Sequence, residues 1–216
     1  MISLKNNKQF IAMIYEALQI ISEQLNNYLS SEGLNNLVKL ENIALIETSA
    51  ENSEKVSGKV ILTLINLDEE KTLKNLPNYK VINKLNTEYK NPPVHLNLYL
   101  LISANCNTYI NSLRSISKTI EFFQGKSIFT SENTVYTTKE DFDTLSSFKL
   151  VVNLHTPTFE ELNHIWGTLG GRQLPSVIYQ IQMIEIDKKE LTGTGPVILK
   201  ITDTLKLKEK KNINWS

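Results

Sequence analysis

Cysteine occurs once, at Cys106, and histidine three times, at His95, His155 and His164, in a chain of 216 residues. One cysteine excludes an intramolecular disulfide, so folding does not depend on an oxidising compartment. The three histidines stand far apart, no HExxH occurs and no cysteine pair is present, so no zinc-ligand spacing exists. A GxSxG elbow, a Walker lysine loop and a histidine–cysteine signature are equally absent. Excess charge is missing too. Lys plus Arg equal Asp plus Glu at 23 each, which argues against a general attraction to nucleic acid or to an anionic membrane. No long hydrophobic run occurs either. The most apolar stretch, Val94 to Cys106, is broken by His95, Asn97, Ser103 and Asn105, and MISLKNNKQF lacks an apolar core, so neither a membrane span nor a signal peptide is expected. Catalysis has no supporting motif, no cofactor or metal is implied, and protein partners are the expectation.

What is present is patterning. A chain of this length can bury about 70% of its unfolded surface, enough for one large domain or a domain with an arm. Ile11, Ile14, Leu18, Ile21, Leu25 and Tyr28 step by three and four, which predicts a helix from Asn7 to Ser30 ended by Gly33. Its stripe suits a core-facing helix or a coiled-coil seam. Ile43 to Thr48 and Lys59 to Leu67 are rich in branched apolar residues and read as paired strands, with a polar turn of Asn52, Ser53 and Gly58 between them. Residues 68–91 then turn polar, around Pro77, and form either a contact element or a solvated loop.

After Asn91-Pro92-Pro93, VHLNLYLLISAN reads as a strand with Leu96, Leu98, Leu100 and Ile102 on one face. The other face, Asn97, Tyr99, Leu101 and Ser103, calls for partial cover by something amphipathic. Thr108 to Gln124 is a predicted helix with Asn107 as N-cap and a stripe of Tyr109, Leu113, Ile116, Ile120 and Phe123, ended by Gly125. Short strands follow at Ser127 to Thr130, Phe148 to Leu154 and Val177 to Asp187. Between the last two, Thr158 and Glu161 have capping-box spacing, and Leu162, Ile165, Trp166 and Leu169 form one apolar face. Gly170 and Gly171 stop this helix and Pro175 leads into the strand. Hairpins mixed with crossovers predict an α/β fold of the α+β type, with one mixed sheet backed by helices. The expected division is a domain over 1–187, carrying the polar arm 68–91, followed by 188–216: a turn at Gly193 to Pro196, a possible strand from Val197 to Ile201, and the basic tail LKLKEKKNINWS.

The glycine clusters do not suit phosphate binding. Gly170-Gly171-Arg172 follows a helix, at its negative end, and Gly193-Thr194-Gly195-Pro196 precedes no helix and has a proline where a donor is needed. Cys106, His95 and His164 read as packing or solvated residues rather than as a nucleophile or ligands.

Several separated segments, in order, resemble the cap, or tail-terminator, family of phage-tail-like contractile injection systems. They are Asn91-Pro92-Pro93 with Leu96 to Leu101, Phe122-Phe123-Gln124, and Leu162 through Trp166, Leu169-Gly170, Leu174-Pro175-Ser176 and Tyr179, within a likeness running from the first helix to Asp187. The resemblance implies a fold similar to phage tail terminators and a structural protein without catalysis. It implies a homo-hexamer whose heterologous contacts close a ring on the inner tube and sheath, at the end distal to the baseplate, and stop both polymers. Inner-tube and sheath proteins would be the partners. Synthesis and assembly would be cytoplasmic, within a particle open to release. Asp68, Glu69, Glu70 and Lys71 are the expected partner-binding cluster, matching an acidic EEKTL stretch of the family, or else a solvated turn. An adaptor or assembly chaperone for tube or sheath subunits is the second reading. An enzyme would have to draw on His155, Arg172 and Tyr179.

Overall fold

The structure is a computed structural model that describes residues 2–34, 38–47, 49–70, 79–83, 86–89, 95–136, 148–184 and 193–196, with side chains over 14–34, 38–46, 49–70, 95–136 and 148–182. By contacts the chain divides into two compact units, Met1–Lys74 with Pro93–Asp187, and Asn75–Pro92 with Lys188–Ser216.

In the larger unit, helix α1 spans Ile2–Ser31 and starts earlier than its stripe suggests. Leu18, Ile21, Leu25 and Leu29 are buried along it, while Ile14 and Tyr28 are partly so; the side chain of Ile11 lies outside the described residues. Gly33, at φ 75°, lets the Leu34 N–H reach back to Leu29 C=O at 3.0 Å and close the helix.

Strand β1 (Val38–Leu40) is anchored by its Val38 N–H on the Asn26 side chain and runs parallel to β2 (Lys59–Glu69). The expected strand at Ile43 to Thr48 is instead a 3-10 turn over Ile43–Glu47, and the expected polar turn is helix α2, Ala50–Val56. Two hydroxyl side chains explain this. The Thr63 hydroxyl takes the Ile43 N–H and gives its proton to Glu41 C=O, which curls the chain, and Ser49 accepts the Asn52 N–H as an N-cap.

Strand β5 (Leu96–Asn105) pairs antiparallel with β2 and with β8 (Ser176–Ile184); β8 pairs with β7 (Lys149–His155), and β7 with β6 (Ile128–Thr130). The sheet order is β1-β2-β5-β8-β7-β6, mixed because only β1–β2 is parallel. One face carries α1 and α3 (Tyr109–Gly125) over Leu98, Leu100, Ile102, Leu150 and Ile181. The other packs Ile61, Leu101 and Ile178 under Ile43, Val56 and α4 (Phe159–Thr168), whose Trp166 is buried. Leu101 thus lies under the amphipathic cover its strand pattern called for, and the expected mixed sheet backed by helices is the observed fold.

The smaller unit is a three-stranded antiparallel sheet of β3 (Tyr79–Asn83), β4 (Asn86–Tyr89) and β9 (Gly193–Pro196). Gly193 to Pro196 is therefore a strand, not the expected turn, because β4 supplies it with a ladder. Residues 68–91 are likewise not one loop: Asp68 and Glu69 finish β2, and β3 and β4 form a hairpin. The expected strand from Val197 and the basic tail fall outside the described residues.

Candidate functional site

The acidic cluster divides between roles. Asp68 and Glu69 are exposed and paired in the sheet opposite Asn97 and Leu96. Glu70 is built into the fold, since its N–H donates to His95 C=O at 2.9 Å and its carboxylate accepts from the Asn97 side chain at 3.0 Å. Lys71 lies outside the described residues.

Helix α3 contributes the larger surprise. Its N-cap is Thr108, which accepts the Asn111 N–H, rather than Asn107. Toward the sheet it turns Ser112, Ser115, Thr119 and Phe123. The hydroxyls are satisfied there: Ser112 Oγ accepts the Cys106 N–H, and Thr119 donates to Ser115 C=O. Small side chains allow close approach, so the helix is rolled and the predicted stripe is split: Phe123 is buried and Ile116 partly so, while Tyr109, Leu113 and Ile120 lie on the outer flank. Tyr109 is 69% exposed, Leu113 44% and Ile120 40%. With Leu154, Phe159 and Leu174 they line an open groove of about 980 Å³ between α3, the end of β7 and the start of α4. Phe159, at 93% exposure, stands at its rim. Exposed apolar residues gathered in one groove mark an interaction surface more than scattered ones do.

The groove is shaped by α4. Thr158 accepts the Glu161 N–H while its own N–H and hydroxyl donate to the Glu161 carboxylate, at 2.8 and 3.1 Å, as the sequence spacing predicts. Those donations hold the Glu161 carboxyl below its ordinary range. Gly170 and Gly171, both at positive φ, stop the helix, and the Gly171 N–H reaches Trp166 C=O.

A second cleft, of about 1030 Å³, wraps the outer edge of β2 between α1 and α4. Ile14 and Leu18 form one wall, Ile165 and Leu169 the other, with Leu64 and Ile65 between. Tyr99 and His155 meet edge to face at its rim, 5.2 Å apart.

The three residues open to an enzymatic reading do not converge. Tyr179 is buried on the α3 side against Phe123, where burial pushes its pKa up to about 12, while His155 sits opposite Ile178 on the other face and Arg172 is exposed. Among the described residues no group of three or more His, Cys, Asp or Glu is placed to hold a metal ion, and no helix is long and apolar enough to cross a membrane. Neither groove was legible as a surface: the α3 stripe points inward by periodicity, and an open strand edge depends on a neighbour's length.

No individual curated protein matches the chain significantly. Among solved structures, the fold is similar to the PVC sheath/tube terminator of an extracellular contractile injection system in its extended state. The TM-score is 0.54 at 11% identity, covering 92% of this chain and 65% of that one. It is also similar to the tube-terminating cap of the anti-feeding prophage, with a TM-score of 0.50 at 12% identity, covering 88% of this chain and 61% of that one. At such identities the likeness is one of fold, and the chain spans less than two thirds of either structure's length. The sequence itself matches the Pvc16 N-terminal domain over residues 16–200, most of its length, and the chain accordingly belongs to the Pvc16 N-terminal domain family.

Proposed function

We propose that this chain is a structural cap of a contractile injection system, six copies of which close into a ring on the inner tube and sheath at the end distal to the baseplate and stop their growth. The observation that carries this reading is the fold's likeness, over nearly the whole chain, to a sheath/tube terminator and to a tube-terminating cap, joined to the family match. A ring subunit must offer its neighbours non-polar surface, and the α3 groove supplies it. We assign the groove to contacts between copies and the exposed Asp68 and Glu69 to docking on tube or sheath. The role is non-catalytic, and assembly takes place in the cytoplasm before any release of the particle.

Electron microscopy of particles assembled with and without the chain tests this. The expected result is a six-fold cap at the end away from the baseplate, and, in its absence, tubes and sheaths of uncontrolled length. Normal capped particles without the chain overturn it and favour an adaptor or chaperone that leaves the particle. Replacing Asp68 and Glu69 by lysine should reduce incorporation; unchanged incorporation removes them from the docking surface.

A further inference from the structure

Strand β1 covers the outer edge of β2 only from Val60 to Leu62, whereas β5 pairs with the inner edge as far as Glu69. Thr63 is occupied by Glu41 and Ile43. From Leu64 to Asp68, no strand among the described residues lies along the outer edge. The Leu67 N–H donates instead to the side chain of its own neighbour, Asn66, at 2.9 Å. This local bond fills a place that a ladder partner fills elsewhere in the sheet.

The cleft around this edge has a wall on each side of the sheet. Side chains of an added strand would alternate to the two faces. One set would enter the α1 wall at Ile14 and Leu18, and the other would turn to the α4 side, where Glu161 lines the cleft with Ile165 and Leu169. The charge is one-sided. Glu41 and Glu161 line the cleft together with His155 and His164, no lysine or arginine does among the described residues, and Asp68 stands exposed where the edge continues.

We infer that the open edge of β2 accepts an extended strand from a partner protein chain, one that alternates apolar residues with lysine or arginine. Backbone hydrogen bonds to the edge and apolar side chains against the α1 wall give affinity, and the carboxylates select the basic set on the other face. Strand acceptance here requires nothing of the ring.

The test uses the full chain and two short blocked peptides, one alternating valine with lysine and one valine with glutamate. Amide hydrogen exchange with mass spectrometry should show protection of Leu64 to Asp68 on adding the lysine peptide and none on adding the glutamate peptide. Leu67→Pro deletes an edge donor that serves no β5 bond, and should weaken the lysine peptide roughly tenfold. Asp68→Lys, at an exposed position that leaves the core untouched, should weaken it several-fold and flatten its salt dependence. Equal protection by both peptides, protection by neither, or wild-type binding by Asp68→Lys overturns the inference.

Discussion

Helices α3 and α4 carry equally clear apolar stripes in the sequence and use them in opposite ways. In α4 the stripe is the packing face: Trp166 is buried, and Leu162, Ile165 and Leu169 pack around it on Ile61, Leu101 and Ile178. In α3 the buried face is Ser112, Ser115 and Thr119 with Phe123, and Tyr109, Leu113 and Ile120 of the stripe are left 40% or more exposed. The difference follows from what each helix meets. The α4 side of the sheet has a hollow large enough for an indole. The α3 side is already filled by α1 and Phe129, so serines and a threonine pack close along most of the helix and Phe123 is taken in at its C-terminal end. A stripe identifies the face that leaves water somewhere; it does not say whether the cover comes from within the chain.

The comparison is broken most severely at Trp166. Trp166→Ala should cost about 3–5 kcal/mol, because it removes the largest side chain in its layer and leaves a cavity under α4. Urea unfolding monitored by circular dichroism measures it. The reverse experiment is Ser115→Leu, which forces volume between α3 and β5 where exposure is 0% and should cost about 1–3 kcal/mol. If Ser115→Leu stabilised the fold, α3 would be free to roll back onto its stripe and the contrast between the helices would fail.

Much of the fold was legible because its signals are local. The Thr158–Glu161 cap, the stop at Gly170-Gly171 and the alternation of Leu96, Leu98, Leu100 and Ile102 each depend on a few neighbouring residues, and each appears as expected. The misreadings have non-local causes. Ile43 to Glu47 has strand composition but is curled by Thr63, twenty residues away from Ile43. Gly193 to Pro196 has turn composition and becomes a strand because β4 pairs with it from far upstream. The interaction surfaces were the least legible part, since the exposure of Leu113 and the open edge at Leu64 are set by what other elements leave uncovered. In the sequence Asp68 and Glu69 are marked by the polar arm they open and by their likeness to the family's acidic stretch, and Glu70 in the same run proved to be a strut for Asn97.

A smaller effect should appear at the α4 cap. Thr158→Ala removes both an acceptor for the Glu161 N–H and a donor to its carboxylate, at a cost of about 1 kcal/mol. Its pH dependence is the sharper readout. The folded protein holds the Glu161 carboxyl below its ordinary value, chiefly through the Thr158 backbone N–H and then its hydroxyl. That contribution is fully present above the ordinary carboxylate range and is lost as pH falls through the depressed folded value. Thermal unfolding followed downward from about pH 5 should therefore show a smaller acid loss in Thr158→Ala than in the parent.

The smallest effect on stability should come from the residues a core-facing stripe would make most important. Replacing Tyr109, Leu113 and Ile120 together by serine should change monomer stability by only about 0.5 kcal/mol per site or less, because each already contacts water. The same triple variant should lose self-association, read by native mass spectrometry and by the absence of rings in electron micrographs. The two readouts separate the possible roles of α3. Large destabilisation with assembly intact would return the stripe to the core, whereas a stable monomer that no longer assembles assigns it to the neighbouring copy. A stable variant that still assembles would move the ring contact off the groove altogether. Only the second outcome preserves the contrast with α4, whose stripe has no spare face to give: there, burial and stability are lost at the same residues.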